Sequence, residues 1–217
     1  MSQPGNHATQ HIETGGVAAV DIESINLVPE PDLEFSSPDH WSLFCIPLGY
    51  KHPNGDIKTD VLFRRGSSMC DERQLIDDLN AWIRDRRPRE ILTYNGENYD
   101  LPILRHRAKV TTRECRGAHT THSDLDLILN ETEHTDLFKV VKEDAGYNVP
   151  LDSALSYHDI TTELTYLNGE EIDGSSMPDI GVRVLSGQAT EAEIKAVREY
   201  AESDVEPLFA LQSCVSE

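Results

Sequence analysis

The chain of 217 residues carries 39 Asp and Glu against 19 Lys and Arg, which gives a formal net charge of −20. This length suits one α/β domain with an ample core, and we expect no second large module beside it. The charge has the wrong sign for a protein that holds nucleic acid through a basic surface. No apolar run is long enough for a signal peptide or a membrane span.

The N-terminus and the cysteines predict the general character of the chain. Residues 1–16 are polar and glycine-rich, so we expect a disordered leader followed by a single domain over residues 17–217. The cysteines are far apart and form no C-x-x-C pair, which gives no support to a disulfide framework. We therefore expect reduced thiols and a cytoplasmic protein. The cysteines are Cys45, Cys70, Cys115 and Cys214.

The first predicted elements are strands of one sheet. Residues 17–22 form a short, β-branched and nearly all-apolar run, which is typical of a strand buried on both faces. Asp21 and Glu23 come near its end, and the two-residue period of a strand directs both carboxylates to the same side. Residues 41–50 and 57–64 are separated by the turn signal H-P-N-G-D, so we predict that they pair antiparallel and extend the sheet.

A helix and a further strand follow. Apolar residues at helical spacing predict a helix over residues 71–86, and Pro88 ends it. Residues 90–94 have the pattern of a second buried strand, which the N-G-E-N loop turns into a helix that begins near Tyr99. Asp100 is therefore predicted to lie at a strand-to-helix corner, the usual location of functional residues in α/β sheets.

The segment from residue 119 onwards has a less regular pattern. We predict a last strand within residues 119–129, because this stretch lacks the apolar spacing of a helix. Helices are expected near residues 135–145 and 151–157. The stretch N-G-E-E-I-D-G-S-S-M-P is rich in turn residues, so residues 166–178 are expected to form a loop.

The final helix is predicted to begin with a capping box formed by Thr190 and Glu193. Tyr200 and Asp204 are four residues apart, so they share one face of this helix. Pro207 lacks the amide that would bond one turn earlier, and we expect a kink there. An apolar stripe is predicted to face the core, and it consists of Ile194, Val197, Ala201, Leu208 and Leu211.

Three acidic motifs occur in order along the chain: D-I-E from Asp21, N-G-E-N-Y-D ending at Asp100, and Y-A-E-S-D ending at Asp204. In this order they resemble the three exonuclease motifs of the DEDD superfamily of 3′→5′ exonucleases, in its tyrosine-bearing (DEDDy) branch. The nearest likeness is to the proofreading domain of family B DNA polymerases and its stand-alone relatives. Those relatives also carry H-x-D-L and D-G-S, which resemble residues 122–125 and 173–175 here.

This resemblance implies the ribonuclease-H-like α/β fold, with a mixed central sheet flanked by helices, and a 3′→5′ exonuclease that releases nucleoside 5′-monophosphates. Two divalent ions supply the nucleophile and the charge neutralisation that phosphodiester hydrolysis needs. Hard oxygen ligands favour Mg²⁺ or Mn²⁺ for these ions. By the resemblance, Asp21, Glu23, Asp100 and Asp204 would hold the two ions. The hydroxyl of Tyr200 would orient the attacking water.

The same resemblance implies a substrate and residues that contact it. The expected partner is a single-stranded nucleic acid with a free 3′ end, with DNA favoured over RNA, and a partner polymerase is left open. Ser24 follows Glu23 where relatives usually carry threonine, so a hydroxyl for the 3′-terminal nucleotide is kept. Leu27 matches a position where relatives wedge an apolar side chain against the terminal base; packing into the core is the alternative. Asn95 is a further candidate for substrate contact, with shaping of the corner before Asp100 as the alternative.

Other assignments of single residues remain open. His119 and Asp124 form H-x-x-x-x-D, the mark of the histidine-bearing branch of the same superfamily. Cys115, His119 and His122 offer three zinc ligands, but no paired knuckle accompanies them. Arg183 fits an exposed helix arginine better than a phosphate ligand.

Alternative functions on the same fold are an exoribonuclease, an endonuclease or ribonuclease H, and a catalytically idle nucleic-acid-binding or polymerase-accessory module. Contacts to the 2′-hydroxyl would distinguish RNA from DNA. The acidic composition, with basic residues skewed to Arg, favours a halophilic, haloarchaeal source. In about 1 M salt the Debye length is about 3 Å, so repulsion of a phosphate strand would be screened. Metal ions, base stacking and short hydrogen bonds would then hold the substrate.

Overall fold

A computed structural model describes residues 15–117 and 119–215 of the chain. Most of its strands belong to one sheet, and they are β1 (Val17–Val20), β2 (Glu23–Asn26), β3 (Trp41–Lys51), β4 (Ile57–Phe63), β5 (Glu90–Thr93) and β6 (Glu133–Asp136). Within the described residues this six-stranded sheet has the order β2-β3-β1-β5-β6, and β4 pairs with β3. The sheet is mixed, because β5 is parallel to β1 and β6 whereas β3 is antiparallel to β1, β2 and β4.

Helices cover both faces of this sheet. In the part of the chain that the structure describes they are α1 (Met69–Arg86), α2 (Asp100–Glu114), α3 (Thr121–Glu131), α4 (Leu137–Ala145), α5 (Leu151–Tyr157), α6 (Met177–Leu185), α7 (Glu191–Val205) and α8 (Leu208–Val215). Ala18 and Val20 of β1 pack with α1, α2 and α3. Val17 and Ala19 pack with α4, α5 and α8 on the opposite face, as the two-residue period of a strand requires. None of these helices is long and apolar enough to cross a membrane.

A buried carboxylate joins the first helical layer to the sheet. Glu72 of α1 is 0% exposed and accepts hydrogen bonds from Arg107 Nε at 2.8 Å and Arg107 Nη2 at 2.7 Å. It also accepts from the Leu43 amide at 2.9 Å and the Ser42 hydroxyl at 3.0 Å. A buried charge is costly unless it is paired and fully hydrogen-bonded, and Glu72 meets both conditions. This network therefore fixes α1 and α2 against β3.

The predictions for the first half of the chain are confirmed. The strand at residues 17–22 appears as β1 in the middle of the sheet, and β3 and β4 form the predicted antiparallel pair. The first helix is α1, which starts slightly earlier than predicted because Ser68 and Asp71 form a capping box. The second buried strand is β5, and α2 begins at Asp100 with Tyr99 as its N-cap residue.

A disulfide joins Cys70 at the start of α1 to Cys115 at the end of α2, with a Cα–Cα distance of 5.6 Å. The expectation of reduced thiols is wrong for this pair. The two cysteines are 45 residues apart, and only the packing of α1 against α2 brings them together. Cys45, which is buried, and Cys214, which is exposed, are free thiols.

The prediction of a strand within residues 119–129 is wrong, because this stretch lies in α3 and the last strand of the sheet is β6. Leu125 and Ile128 of α3 are buried in the core and Leu129 packs against it, which is the spacing of one helix face. The sequence of β6 is E-H-T-D, which has no apolar alternation, so the usual strand pattern is absent where the strand occurs. The helices predicted near residues 135–145 and 151–157 are confirmed as α4 and α5.

The predicted loop over residues 166–178 is only partly irregular. It contains a short hairpin of β7 (Tyr166–Leu167) and β8 (Glu170–Glu171), and α6 begins at its end. The sequence of α6 contains Gly181 and several β-branched residues, which have low helix propensity. Close packing explains Gly181, since a Cβ there would lie 2.7 Å from Ile25 Cγ2 and 2.7 Å from Phe44 Cδ1.

The final helical segment has the predicted capping box, but at Pro207 it breaks into two helices where a kink was predicted. Thr190 and Glu193 cap α7, and Pro207 separates the end of α7 from the start of α8. Ile194 is 39% exposed, so its assignment to the core stripe is wrong. The other stripe residues, Val197, Ala201, Leu208 and Leu211, are buried as predicted.

The predicted leader at residues 1–16 lies outside the described residues except for Gly15 and Gly16. Their backbones bond to the segment that precedes β5: the Gly15 amide donates to the carbonyl of Arg87 at 3.3 Å, and the Arg89 amide donates to the carbonyl of Gly16 at 2.9 Å. The first 14 residues are not described.

Candidate active site

Four carboxylates from three distant stretches of the chain converge beside the sheet. Oxygen atoms of Asp21, Glu23 and Asp204 all lie within 4.8 Å of one another. The carboxyl group of Asp100 lies beside that of Asp21, so that each group shifts the pKa of the other. The geometry therefore brings together all four of the acidic residues that the motifs indicated.

The junction between β1 and β2 places the first two carboxylates. The chain leaves the regular ladder at Asp21, whose amide donates to the carbonyl of Pro47 at 3.2 Å. It rejoins β3 at Glu23, which is opposite Cys45, and the register shifts between Glu23 and Ser24. Bulges of this kind redirect side chains near functional sites. Asp21 and Glu23 thus both reach Asp204 of α7.

Burial and mutual repulsion raise the pKa of every carboxyl group in this cluster. Burial raises the pKa of Asp21 to about 6, and burial with the charge of Asp21 raises the pKa of Asp204 to about 8. The pKa values of Glu23 and Asp100 lie well above their ordinary range, first through burial and then through the neighbouring carboxylates. Four close carboxylates cannot all be charged near neutral pH without cations. The donor set fits hard divalent cations such as Mg²⁺ or Mn²⁺.

Tyr200 lies one helical turn before Asp204, and its phenol is close enough to the Asp204 carboxylate for each group to shift the pKa of the other. Burial and the nearby carboxylates raise the pKa of Tyr200 above its ordinary value, so the phenol stays protonated. The turn that contains the D-G-S motif adjoins this hydroxyl. A Cβ at Gly174 would lie 3.4 Å from Tyr200 Oη. Asp173 stabilises the turn by accepting from the Ser175 amide at 3.0 Å.

The three candidate substrate-binding residues have different environments. Ser24 is 7% exposed, and its hydroxyl is hydrogen-bonded to the hydroxyl of Tyr99. Leu27 is 48% exposed and does not pack into the core. Asn95 has a φ of 65°, and its side-chain oxygen accepts from Asn98 Nδ2 at 2.9 Å. These contacts of Asn95 shape the corner before α2.

The alternative assignments do not join the carboxylate cluster. His119 Nε2 lies 2.9 Å from the carbonyl of Arg116, and Asp124 forms an ion pair with Arg84 at 3.0 Å. Asp124 lies on α3, which packs with α1 and α2 on the face of the sheet opposite α7. Cys115 is disulfide-bonded, so it is no zinc ligand beside His119.

Arg183 forms an ion pair with Glu193 through its Nε at 2.7 Å. This contact joins α6 to the capping box of α7. Its role is therefore consistent with the prediction of a helix arginine rather than a phosphate ligand.

Sequence reasoning missed two residues that contact the site. Tyr99 bonds Ser24, and burial raises its pKa to about 12, with Asp100 contributing. Asp136, at the end of β6, bonds the loop that leads to Asp100. The signal for Asp136 was present, because H-x-D-L occurs at residues 134–137 as well as at 122–125. The assignment to 122–125 placed the motif on α3 instead of beside β5.

Comparisons with known proteins agree with this fold. A family model of the RNase H superfamily matches residues 42–215, which include Asp100, Tyr200 and Asp204. A DNA polymerase of Thermococcus litoralis is 26% identical over 154 residues, which cover 66% of this chain and 8% of that polymerase. The family B DNA polymerase from the hyperthermophilic archaeon Pyrobaculum calidifontis has a TM-score of 0.64 and 19% identity, covering 93% of this chain and 24% of its own.

The chain thus corresponds to a small part of either polymerase. The predicted ribonuclease-H-like fold, with a mixed sheet flanked by helices, is confirmed. Because the family model spans most of the sequence and both helical layers, the chain belongs to the RNase H superfamily.

Proposed function

We propose that this protein is a metal-dependent nuclease that removes nucleotides from the 3′ end of single-stranded DNA and releases nucleoside 5′-monophosphates. The observation that carries the proposal is the convergence of Asp21, Glu23 and Asp204 within 4.8 Å, with Asp100 beside Asp21 and Tyr200 beside Asp204. Membership of the RNase H superfamily and the similarity to two DNA polymerases support it.

The carboxylate cluster fits two divalent ions. Asp21, Glu23 and Asp204 would hold one ion, and Asp100 with Asp21 would hold the other. Raised pKa values fit this role, because cations would replace the protons that the metal-free carboxylates retain. When bound, Mg²⁺ or Mn²⁺ would activate a water molecule and neutralise charge on the phosphate.

The neutral side chains around the cluster would position the substrate. Tyr200 keeps its proton, so it orients a water molecule by hydrogen bonding and does not remove a proton from it. The hydroxyl of Ser24 is available to the terminal sugar, with Tyr99 as its present partner. Leu27 presents an exposed apolar side chain that a terminal base would cover. Its exposure favours substrate contact over packing in the core.

The test uses a 5′-labelled single-stranded DNA oligonucleotide with Mg²⁺ or Mn²⁺, from low to molar KCl. We expect a ladder that shortens from the 3′ end. Asp21→Ala and Asp100→Asn should abolish it, because each removes a metal ligand. Asp144→Asn changes an exposed aspartate on α4 and serves as the matched control. An oligonucleotide that stays intact in every condition would overturn the proposal.

Other substrates distinguish the alternatives. A circular single strand has no 3′ end, so its cleavage would indicate an endonuclease. An RNA oligonucleotide of the same sequence should be degraded more slowly than DNA. Faster degradation of RNA would indicate an exoribonuclease. Binding of DNA without turnover, unchanged by Asp21→Ala, would indicate an idle binding module.

A further inference from the structure

The side chain of Asp136, at the end of β6, is hydrogen-bonded to the loop that follows the parallel strand β5. Asp136 is 4% exposed and is the N-cap residue of α4. Its Oδ1 accepts from the Phe138 amide of α4 at 3.2 Å and from the Asn95 amide at 2.7 Å. Its Oδ2 accepts from the Glu97 amide at 3.0 Å. One buried carboxylate therefore satisfies two amides of the loop between β5 and α2 and one amide of α4.

Besides the bonds to Asp136, the loop is held by bonds within itself and by the ion pair of Glu97 with Lys139 of α4. Asn95 has a φ of 65°, a conformation that is unfavourable for a residue with a side chain. The loop also folds closely onto β5, since a Cβ at Gly96 would lie 2.5 Å from Thr93 Cβ. Without Asp136, the partly buried amides of Asn95 and Glu97 would lose their acceptor, and replacing these bonds is costly where water has limited access. The shape of the corner thus depends on Asp136.

The corner ends at Asp100. The Tyr99 amide donates to the carbonyl of Asn95 at 3.2 Å, and the Leu101 amide donates to the carbonyl of Gly96 at 2.8 Å. These bonds connect the first turn of α2 directly to the residues that Asp136 holds. A shift of Asn95 or Gly96 would therefore move Asp100 relative to Asp21.

We propose that Asp136 is a positioning residue that fixes the N-G-E-N corner so that the Asp100 carboxylate reaches Asp21. Its catalytic consequence rests on the proposed nuclease function, whereas its effect on the corner does not. Asp136 contacts neither substrate nor metal in this proposal. It acts through the backbone of the loop and through Asp100.

Asp136 could affect Asp100 through its negative charge or by positioning the loop, and these two roles predict opposite effects of a neutral substitute on cation binding. The negative charge of Asp136 contributes to raising the pKa of Asp100. If Asp136 acted only through this charge, a neutral substitute would make Asp100 deprotonate more easily and bind cations more tightly. If Asp136 acts by position, the same substitute weakens cation binding. Whether the affinity for cations rises or falls therefore distinguishes the two roles of Asp136.

The most informative variant is Asp136→Ser, because serine is itself a preferred N-cap residue and keeps a cap for α4. Its side chain is too short to bond both loop amides as well. Gly96→Ala is the second variant, since it displaces the loop from Thr93 while leaving Asp136 and the α4 cap in place. Ser68→Ala removes the cap of α1, which lies in the other helical layer, and is the control for general loss of stability.

Binding of Mn²⁺ alone is measured by calorimetry, with Asp100→Asn as the reference. We expect Asp136→Ser and Gly96→Ala to weaken, by about 10- to 100-fold, the same binding phase that Asp100→Asn removes. Ser68→Ala should bind Mn²⁺ as the wild type does. Residue-resolved hydrogen exchange should show faster exchange of the Asn95 and Glu97 amides in Asp136→Ser. In the nuclease assay, kcat should fall more than KM rises.

Tighter or unchanged Mn²⁺ binding by Asp136→Ser, or unchanged exchange at Asn95 and Glu97, would overturn the proposal. If Asp136→Ser does not fold, Asp136→Asn decides by the same isotherm, because it removes the charge and leaves the Glu97 amide without its Oδ2 acceptor. If the wild type binds Mn²⁺ but cleaves no oligonucleotide, the proposed function fails while the isotherm still decides the role of Asp136. If the wild type binds no Mn²⁺, the exchange measurement decides whether Asp136 holds the corner.

Discussion

Tyr200 is the residue whose chemistry is most tightly defined by its neighbours. Burial and the neighbouring carboxylates raise its pKa, so it stays protonated and can orient a water molecule but cannot act as a base. We expect Tyr200→Phe to lower kcat by about 10²-fold, because the ring stays and the hydroxyl is lost. Mn²⁺ affinity should change little, since Asp204 remains.

Tyr157→Phe is the matched control for this change, because Tyr157 is 78% exposed on α5. Single-turnover rates and Mn²⁺ isotherms are measured on both variants. Equal loss of rate and metal affinity in Tyr200→Phe would mean that the hydroxyl serves only to hold Asp204.

The carboxyl cluster predicts how the metal-free protein responds to pH. The folded-state pKa of Asp204, about 8, lies above its ordinary value of 3.8, so the folded state binds this proton more tightly than the unfolded chain does. The stabilisation is fully present below pH 3.8 and is lost as pH rises through about 8. Asp21 contributes in the same direction, between 3.8 and about 6.

In EDTA, we therefore expect the unfolding free energy to fall as pH rises from 4 to 8, and Asp204→Asn to reduce this fall. Urea unfolding at several pH values measures it, with Asp144→Asn as the control for an ordinary surface carboxylate. Added Mn²⁺ should reverse the trend, because ligand deprotonation favours metal binding. A pH profile of Asp204→Asn identical to that of the wild type would contradict the assigned environment.

At the scale of elements, local signals predicted the parts of the fold that local forces determine. A long apolar period identified α1, and the capping box at Thr190 with an apolar stripe identified α7. The wrong predictions concern elements whose secondary structure depends on tertiary contacts. The strand β6 has no apolar alternation and forms because β5 lies beside it, and α6 forms where Gly181 lets it pack on β2 and β3.

In the candidate site, too, some residues were predicted from the sequence and others were not. Asp21, Glu23, Asp100, Tyr200 and Asp204 occur in motifs whose order is visible in the sequence, so their convergence was predictable. Asp136 was missed although H-x-D-L is visible at residues 134–137, because its place beside Asp100 depends on the parallel pairing of β5 and β6 and on bonds to loop amides.

The disulfide between Cys70 and Cys115 joins α1 and α2, two helices of one layer. Closing a loop of this length restricts the unfolded chain and is worth about 4 kcal/mol in the chain-entropy model. We expect a reducing agent, or Cys70→Ser, to lower the unfolding free energy by about 2–4 kcal/mol.

Urea unfolding with and without dithiothreitol measures this difference. Cys214→Ser is the control, because Cys214 is an exposed free thiol. The Cys70→Ser variant should no longer respond to dithiothreitol. An equal response in wild type and Cys70→Ser would show that the bond does not form in solution.

At the scale of the whole molecule, the net charge of −20 acts on both stability and substrate binding. Exposed ion pairs such as Lys195–Glu199 contribute little and are weakened by salt. The pair between Arg107 and Glu72 is buried and largely unscreened. The remaining excess of carboxylates repels itself, and salt relieves that repulsion. The two effects of salt have opposite signs, and the excess charge makes relief of repulsion the larger one.

We therefore expect the thermal midpoint to rise as KCl increases from about 10 mM to 1 M, where the Debye length falls from about 30 Å to about 3 Å. Each kcal/mol of repulsion relieved should raise the midpoint by about 2–4 °C in a chain of this size. Repeating the scan near pH 4, where many surface carboxylates are neutral, should flatten the dependence on KCl. A similar rise at both pH values would assign the effect to strengthened apolar burial rather than to charge. A midpoint that falls with KCl near pH 7 would mean that favourable ion pairs outweigh the excess negative charge.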